Sequence, residues 1–570
     1  MKENKTKRID FSEKRLGNQA DKLYNEGDYI TALSLTYKQY GLYGGSGDIY
    51  VRFADIYEGL GLHLSAINWW YKFLDEADEE DYPDIYEGLA VNYLNLGKEA
   101  ESAYYYNRLI DVDESISSEI KMEIVNAFAK DKRSKFRFVY PPKLADYSRE
   151  IELGSHALKA GKGKTASKIL ERVEKGSKEY AEAMEMRAVA CLLAGEVDEA
   201  ETICKELLQE KPSDTRVLAT LSAVYLEQGK KEESLALALR LYKEEQESTD
   251  DLYKVATVCC ENGLHKEAFE KFTKLSKKIP YDGRMLYFKG VSAYKSGLLE
   301  ESERAFDTLC TIYPDAEVAK FYLKGLRTRE ETNGESLKEP SYFYHVPQEE
   351  REARCRSLIH IGKCPKDEAQ LFALIALHDG YFRWCFDELD GEDHDLQYLA
   401  IVTAEHVHAD DFLREVLLDP EVLDALKVEL IRLLIMRNED AEFGLVLCNM
   451  YRRISLMKIK LGKKRRKRFL EGYAGIASKF IVVNETYGKR LKISAEKLYE
   501  GLEKYDGLDL IENANDVSCA LYMLSDFKEF GRELTAVAGT FEADEKKVLA
   551  LLSKASGEIT INEEKQDEIN

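Results

Sequence analysis

The stretch RMLYFKGVSAYKSGLLEESERAFDTLCTIYP, residues 284–314, decides the fold. Gly297 divides it into two segments of helical apolar spacing, and Pro314 closes it where a helix cannot continue. The pattern recurs upstream at a fixed step: Gly161, Gly195, Gly229, Gly263 and Gly297 stand 34 residues apart. Before each glycine come the packing positions of a first helix, namely Ala188 and Cys191, Ser222 and Tyr225, Ala256 and Cys259, Gly290 and Ala293. Five residues after it comes a small residue where a second helix crosses: Ala166, Ala200, Ser234, Ala268 and Ser302. Nine after it stands a larger apolar residue in most units, Leu170, Cys204, Phe272 and Phe306, and Pro212, Pro280 and Pro314 end three units. Such a period marks a two-helix repeat, because neither helix can bury its apolar stripe until the next unit stacks on it.

These residues resemble the tetratricopeptide repeat, whose 34-residue unit keeps a small residue at its eighth position, an aromatic at its eleventh and an alanine at its twentieth. A second run, Gly27, Gly61 and Gly97, matches better still, with Ala54, Tyr57, Ala66 and Trp70 in one unit and Tyr86, Ala90, Tyr93 and Tyr106 in the next. The resemblance spans eight units over about 15–112 and 148–330. It implies an all-α, right-handed superhelical solenoid in two blocks that binds proteins or peptides in its concave groove, a statement about class and not about one partner.

Outward from the repeats, the chain divides into an N-terminal tail (1–14), a three-repeat block (15–112), a degenerate repeat or hinge (113–147), a five-repeat block with a capping helix (148–330), a linker (331–350), a helical-hairpin domain that could stack like HEAT repeats (351–556) and an acidic tail (557–570). The register breaks between Gly97 and Gly161, where 113–129 reads as one amphipathic helix and KDKRSKFRFVYPP (130–142) as a basic hinge, with Arg133, Lys135 and Arg137 free to meet an anion. ETNGESLKEPSYFYHVPQEE (331–350) reads as a linker from its glycine, prolines and charge. Beyond it, helical spacing marks 366–377, 397–408, 441–461, 468–481 and 494–504, and Asp419-Pro420 looks like a capped helix start. No run alternates convincingly as a strand.

Length, 570 residues, suits a solenoid, which escapes the size ceiling of a single core. A formal charge of −23 argues against wholesale nucleic-acid binding and permits a basic partner. The polar start MKENKTKRIDFSEKR is not a secretory signal, and no stretch approaches the ~20 apolar residues of a membrane helix. Ten cysteines, without a CxxC pair, suit reduced thiols in a cytoplasm.

From the resemblance, the groove is lined at the second, fifth, ninth, twelfth and thirteenth positions of each first helix. Carried onto this chain, the first block presents Asp21, Asp48, Asp55, Glu58, Asp84 and Glu87, an acidic set. The second presents Leu192, Leu193, Arg216, Leu226, Tyr253, Arg284, Tyr287 and Tyr294, and tyrosine and arginine are common interface anchors. Neither set carries the lysines, arginines and asparagines with which such domains grip acidic chaperone tails.

The sharpest anomaly is RRISLMKIKLGKKRRKR (452–468), ten cations and no acid in seventeen residues. Gly462 is expected to end one helix and Lys463, Lys464, Arg465, Arg466, Lys467 and Arg468 to open the next, where positive charge opposes the helix dipole. The candidate partners are nucleic acid, an acidic surface or the chain's own Glu563, Glu564, Asp567 and Glu568; the alternative is a solvated loop. Residues 532–555 faintly resemble a helix-turn-helix but carry Glu542, Asp544 and Glu545 where phosphate would be met, which favours a structural helix pair. Cys355, His360, Cys364 and Cys385 are zinc-ligand types without a standard spacing, and no nucleotide or catalytic motif is present, so neither metal nor cofactor is expected. The expected function is a non-catalytic scaffold or adaptor for protein or peptide partners. The alternative is a regulator that couples such binding to nucleic-acid contact through 452–468.

Overall fold

The structure is a computed structural model that describes residues 12–113, 115–129, 147–378, 380–387, 393–525 and 533–557. Most of the tail before residue 12, the basic hinge at 130–146 and the acidic tail beyond 557 lie outside the described residues. The chain packs as two compact units. One comprises the described residues of Met1–Val125, Glu352–Phe386 and Glu392–Asn570; the other those of Asn126–Arg351 with Asp387.

In both units the repeats form by one local device. Gly27, Gly61, Gly97, Gly161, Gly195, Gly229, Gly263 and Gly297 all hold positive φ, between 65° and 81°. Each follows the last turn of a first helix, and the residue after it donates its N–H back to the carbonyl five residues earlier, as Leu62 does to Tyr57 (2.8 Å) and Lys230 to Tyr225 (2.8 Å). That bond ends the helix and turns the chain into the next one. No heavy atom lies within 4 Å of a Cβ built on any of these eight glycines, so it is backbone conformation that selects them, not space.

The helix pairs then lock through size. Ala32, Ala66, Ser102, Ala166, Ala200, Ser234, Ala268 and Ser302 are wholly buried at the crossings. Where the first helix carries glycine at its eighth position, a large partner fills the space: a Cβ on Gly154 would meet Leu170 Cδ2 at 2.6 Å, and one on Gly290 would meet Phe306 Cε1 at 2.7 Å. Close packing leaves no slack for either change.

In the first block the repeat aligns three tyrosines 34 residues apart on successive second helices, Tyr37, Tyr71 and Tyr105. The Tyr71 hydroxyl lies 2.6 Å from that of Tyr93 and 3.0 Å from that of Tyr105. Both Tyr71 and Tyr105 donate to the Asn449 carbonyl, at 2.7 and 3.1 Å, and the Tyr105 oxygen accepts from the Tyr451 N–H at 3.1 Å. Residues 441–456, expected to be helical, are instead an antiparallel hairpin of β1 (Ala441–Leu447) and β2 (Met450–Leu456), paired from Ala441↔Leu456 to Leu447↔Met450. Cys448 and Asn449 turn it with φ of 51° and 59°, the geometry of a tight two-residue hairpin loop. β1 buries Phe443, Gly444, Leu445, Val446 and Leu447 in succession, so both its faces are covered and it cannot alternate. Tyr451 donates to Asp75 (2.9 Å), Asn449 to Glu101 (3.1 Å) and Arg453 to the Asp75 carbonyl (2.6 Å).

The hairpin base is fixed as firmly as its tip. Asn438 accepts from the Ile459 N–H (2.9 Å) and donates to its carbonyl (3.0 Å), while buried Lys427 donates to the Val446 carbonyl (2.6 Å). Burial lowers the Lys427 ammonium to about 8.

The other helices follow the sequence reading with shifted bounds: Ser118–Ala129, Lys366–His378, His394–His406, Arg466–Ile481 and Glu485–Lys504. Asp419-Pro420 does not start its helix. Asp419 accepts from the Glu421 N–H (2.8 Å) in a turn, and the helix runs Asp424–Met436.

Two outcomes test these assignments. Gly229→Ala should lower stability by about 1 kcal/mol, the cost of forcing a Cβ into left-handed backbone, and Gly229→Asn by less; urea unfolding measures both. Tyr105→Phe should cost on the order of 1 kcal/mol by stranding the part-buried Tyr451 N–H. Its amide exchange should quicken at 449–453 and not in the second block.

Candidate interaction surfaces

The repeat that aligns the second-helix tyrosines also aligns polar side chains on the first helices. Tyr24, Glu58 and Asn92 stand 34 residues apart, and Asp21 and Asp55 make a parallel pair. Glu58 Oε1 accepts from Asn92 Nδ2 at 2.6 Å and from Trp70 Nε1 at 3.3 Å, and Asn92 Oδ1 lies 2.8 Å from His63 Nδ1. Arg52 pairs with Asp21 and donates to Gln39 (3.1 Å), which ties the first repeat to the second. Burial, with the Glu58 carboxylate adding to it against the opposing pull of Arg52, pushes the Asp55 carboxyl up to about 6. Burial beside Asp55 and Glu58 also raises Tyr24. Asp48, Asp84 and Glu87 are exposed.

The second block's groove residues separate into two groups. Toward its N-terminal end, Leu192 and Leu226 are half-buried and Leu193 is 57% exposed, while exposed Arg216 lies 3.8 Å from Asp250 and 3.9 Å from Asp251. Toward its C-terminal end the residues are engaged. The half-buried Tyr253 stacks its ring on Phe288 at 6.4 Å, with burial raising its hydroxyl against the opposing charge of Arg284, and Tyr294 is half-buried. Tyr287, read from the sequence as a groove anchor, is wholly buried, and its hydroxyl donates to the carbonyls of Ser341 (3.0 Å) and Phe343 (3.2 Å).

Those carbonyls belong to the stretch read as a linker, which packs on the second block's own helices. Tyr342 Oη lies 3.0 Å from His265 Nδ1, and its ring is 6.4 Å from Phe288. The Tyr344 ring meets Tyr287 edge-on at 4.7 Å, and its hydroxyl donates to Asp387 at 2.9 Å. Asp387 also accepts from the Val318 N–H (2.8 Å), which serves the start of helix Glu317–Arg327, and burial pushes its carboxyl up to about 7. The sequence reading missed this segment, although four consecutive aromatic rings, Tyr342, Phe343, Tyr344 and His345, are unusual for a free connection.

Lys463, Lys464, Arg465, Arg466, Lys467 and Arg468 are all exposed. No helix precedes them: β2 is followed by irregular chain, and helix Arg466–Ile481 opens from Arg465 in left-handed conformation without a side-chain cap. Lys464 pairs with Asp509 at 2.9 Å, Arg465 lies 3.9 Å from the same carboxylate, and Arg468 pairs with Glu471 at 3.3 Å. The four acidic tail residues proposed as partners lie outside the described residues. Helices Leu534–Phe541 and Glu545–Ser556 form the pair seen in the sequence, with Glu542 at positive φ in the turn where such motifs favour glycine.

Stacked two-helix units closed by left-handed glycines define an α-solenoid. Residues 157–221 match the family model of the tetratricopeptide repeat, in keeping with the repeat fold of the two blocks. No curated protein matches it. Among solved structures, it is similar to a tetratricopeptide repeat protein from Parabacteroides merdae (17% identity, 45% of this chain and 98% of that one, TM-score 0.27). It is also similar to a human IFIT1 dimer with m7Gppp-AAAA (14%, 76% and 91%, TM-score 0.28) and to Naa15/Naa10 bound to HypK-THB (12%, 96% and 95%, TM-score 0.17). Among the described residues no helix is long and apolar enough to cross a membrane.

The Asp55 environment gives a pH test. Its folded-state pKa is raised, so the stability it contributes is full below about 3.8 and is lost as pH rises through about 6. Asp55→Asn removes the buried charge. The variant should therefore melt above the wild type at pH 8, and that advantage should vanish by pH 4.

Proposed function

We propose that this protein is a non-catalytic, cytoplasmic scaffold whose two repeat blocks hold protein or peptide partners by different chemistries. Tetratricopeptide repeats are in general protein-interaction modules, and the observation that carries the reading is the contrast between the two first-helix faces. The first block offers Asp21, Asp48, Asp55, Glu58, Asp84 and Glu87, a set suited to a lysine- or arginine-rich segment. The second offers Leu192, Leu193 and Leu226 with Arg216, suited to an apolar segment with an acidic residue. Asp55 supports the first assignment, because a partner's cation would relieve the cost of its buried charge.

A second reading has one observation in its favour. Six consecutive exposed cations face only Asp509 and Glu471 among the ion pairs described for them, which leaves charge available for an anionic partner such as nucleic acid. In that case the protein is a regulator that couples partner binding in the solenoid to nucleic-acid contact.

One experiment separates the readings. The full chain, an Asp84→Lys/Glu87→Lys variant, a Leu193→Glu/Leu226→Glu variant and a variant with Lys463, Lys464, Arg465 and Arg466 changed to Glu are used to capture ligands from native lysate at low and moderate salt. A stoichiometric protein held at both salts and lost from one groove variant is the expected result. Capture of nucleic acid alone, at low salt alone and abolished by the 463–466 changes, would put the working surface on the basic run instead.

A further inference from the structure

We infer that residues 339–346 occupy a peptide groove on the second block's first helices in place of a ligand, and that this groove takes a peptide presenting Tyr-x-Tyr with an acidic side chain three residues ahead. The inference deepens the scaffold reading and rests on it.

Three observations carry it. First, the segment's partners fall mainly on the first helices of three successive units. Tyr342 packs on the buried cluster that includes Cys260 of Thr249–Glu261; Tyr287, Phe288 and Lys295 on Gly283–Lys295 meet Tyr344, Tyr342 and Glu339 in turn; and Tyr322 on Glu317–Arg327 donates to the His345 carbonyl at 2.9 Å. Tyr287 and Lys295 are groove positions of their unit, and Cys260 is one of its own.

Second, the segment presents its side chains in alternation. Tyr342, Tyr344 and Val346 turn inward, whereas Phe343 is 65% exposed and its ring stacks on His345. Two tyrosines one residue apart thus anchor the segment, and a third residue, Glu339, sets its direction through Lys295.

Third, the groove reads the segment's backbone. The Tyr287 and Tyr322 hydroxyls together donate to three of its carbonyls, those of Ser341, Phe343 and His345. A connection needs only to span its ends. This one fills side-chain pockets and meets main-chain donors, which is the way a groove holds an extended peptide.

A tethered segment faces the groove at an effective concentration of order millimolar, so the same sequence supplied separately competes poorly with it. Weakening the tethered copy should open the groove. The probe is the fluorescein-labelled peptide SLKEPSYFYHVP, which is residues 336–347, titrated by anisotropy against the full chain.

Glu339→Lys, which changes an exposed residue, should bind the peptide several-fold more tightly than the wild type, and Tyr342→Ala/Tyr344→Ala at least tenfold more tightly. A peptide with both tyrosines changed to Ala should not bind. Lys295→Glu combined with Glu339→Lys should prefer a peptide carrying Lys at the Glu339 position. Equal binding by wild type and both variants, or undiminished binding of the Ala peptide, would overturn the inference. Should the tyrosine variant lose its helical circular dichroism, the Glu339→Lys comparison decides alone. Partner capture sensitive to Leu193 and Leu226 with no peptide binding by any variant would sustain the scaffold reading and remove this one.

Discussion

A two-helix unit of this size has an apolar stripe on each helix and no way to cover both alone. Stacking is therefore compulsory, and stacking at a fixed step requires each first helix to stop at the same place. The left-handed glycine does this: it ends the helix, lets the N–H of the next residue reach the carbonyl five residues before that residue and fixes the turn into the second helix. From that one closure follow the small residues at the crossings and the matched Gly154–Leu170 and Gly290–Phe306 contacts. The ladders of equivalent side chains follow too, because residues 34 apart are placed at equivalent points on neighbouring units.

The ladders explain why distant chain packs where it does. A buried tyrosine carries a hydroxyl that needs a partner. On the first block's second helices, Tyr71 and Tyr105 meet that need with the Asn449 carbonyl at the hairpin tip. On the second block's first helices, Tyr287 and Tyr322 meet it with carbonyls of 341–345. The chemistry is the same and the helix faces differ. The first block is braced on its second helices, while its first-helix carboxylates Asp48, Asp84 and Glu87 stay exposed. The second block is covered on the first-helix face itself, but only toward its C-terminal end, so that Leu192, Leu193 and Leu226 are not among the segment's contacts.

What the sequence made legible tracks how local the cause is. The repeats could be read because glycine at left-handed φ and a small residue at a crossing are each nearly without substitute. The hairpin could not: burial of β1 on both faces erases alternation, and its turn uses Cys448 and Asn449 in place of the expected glycine. Asp419-Pro420 carries the residues of a helix start yet caps a turn, since local preference alone does not choose between the two. At the sites, residue identities on the first block's face were legible from the repeat register, whereas the Arg52–Asp21 pair and the rise in Asp55 depend on neighbours the register does not name. Glycine, proline and charge hid the packed segment at 339–346, because these mark departure from a helix and say nothing of what the departing chain then touches.

The two faces also differ in what limits recognition. Carboxylates such as Asp48, Asp84 and Glu87 act through exposed charge, which salt screens within about 8–10 Å, so a basic partner's arrival there is a matter of steering and ionic strength. Asp55 sits deeper, and a cation that reached it would meet charge already held at a cost, where screening is weaker. The second block works through aromatic and aliphatic burial with main-chain hydrogen bonds, terms that salt barely touches. If the groove takes a peptide as proposed, its selectivity would come from pocket spacing: the rings of Tyr342 and Tyr344 meet Phe288 and Tyr287 on one helix, and the Lys295–Glu339 pair fixes the direction of the segment. Under the proposed function, a basic segment and a tyrosine-bearing one would be held by physical terms that respond to different conditions, and this independence is what a scaffold with two separate blocks requires.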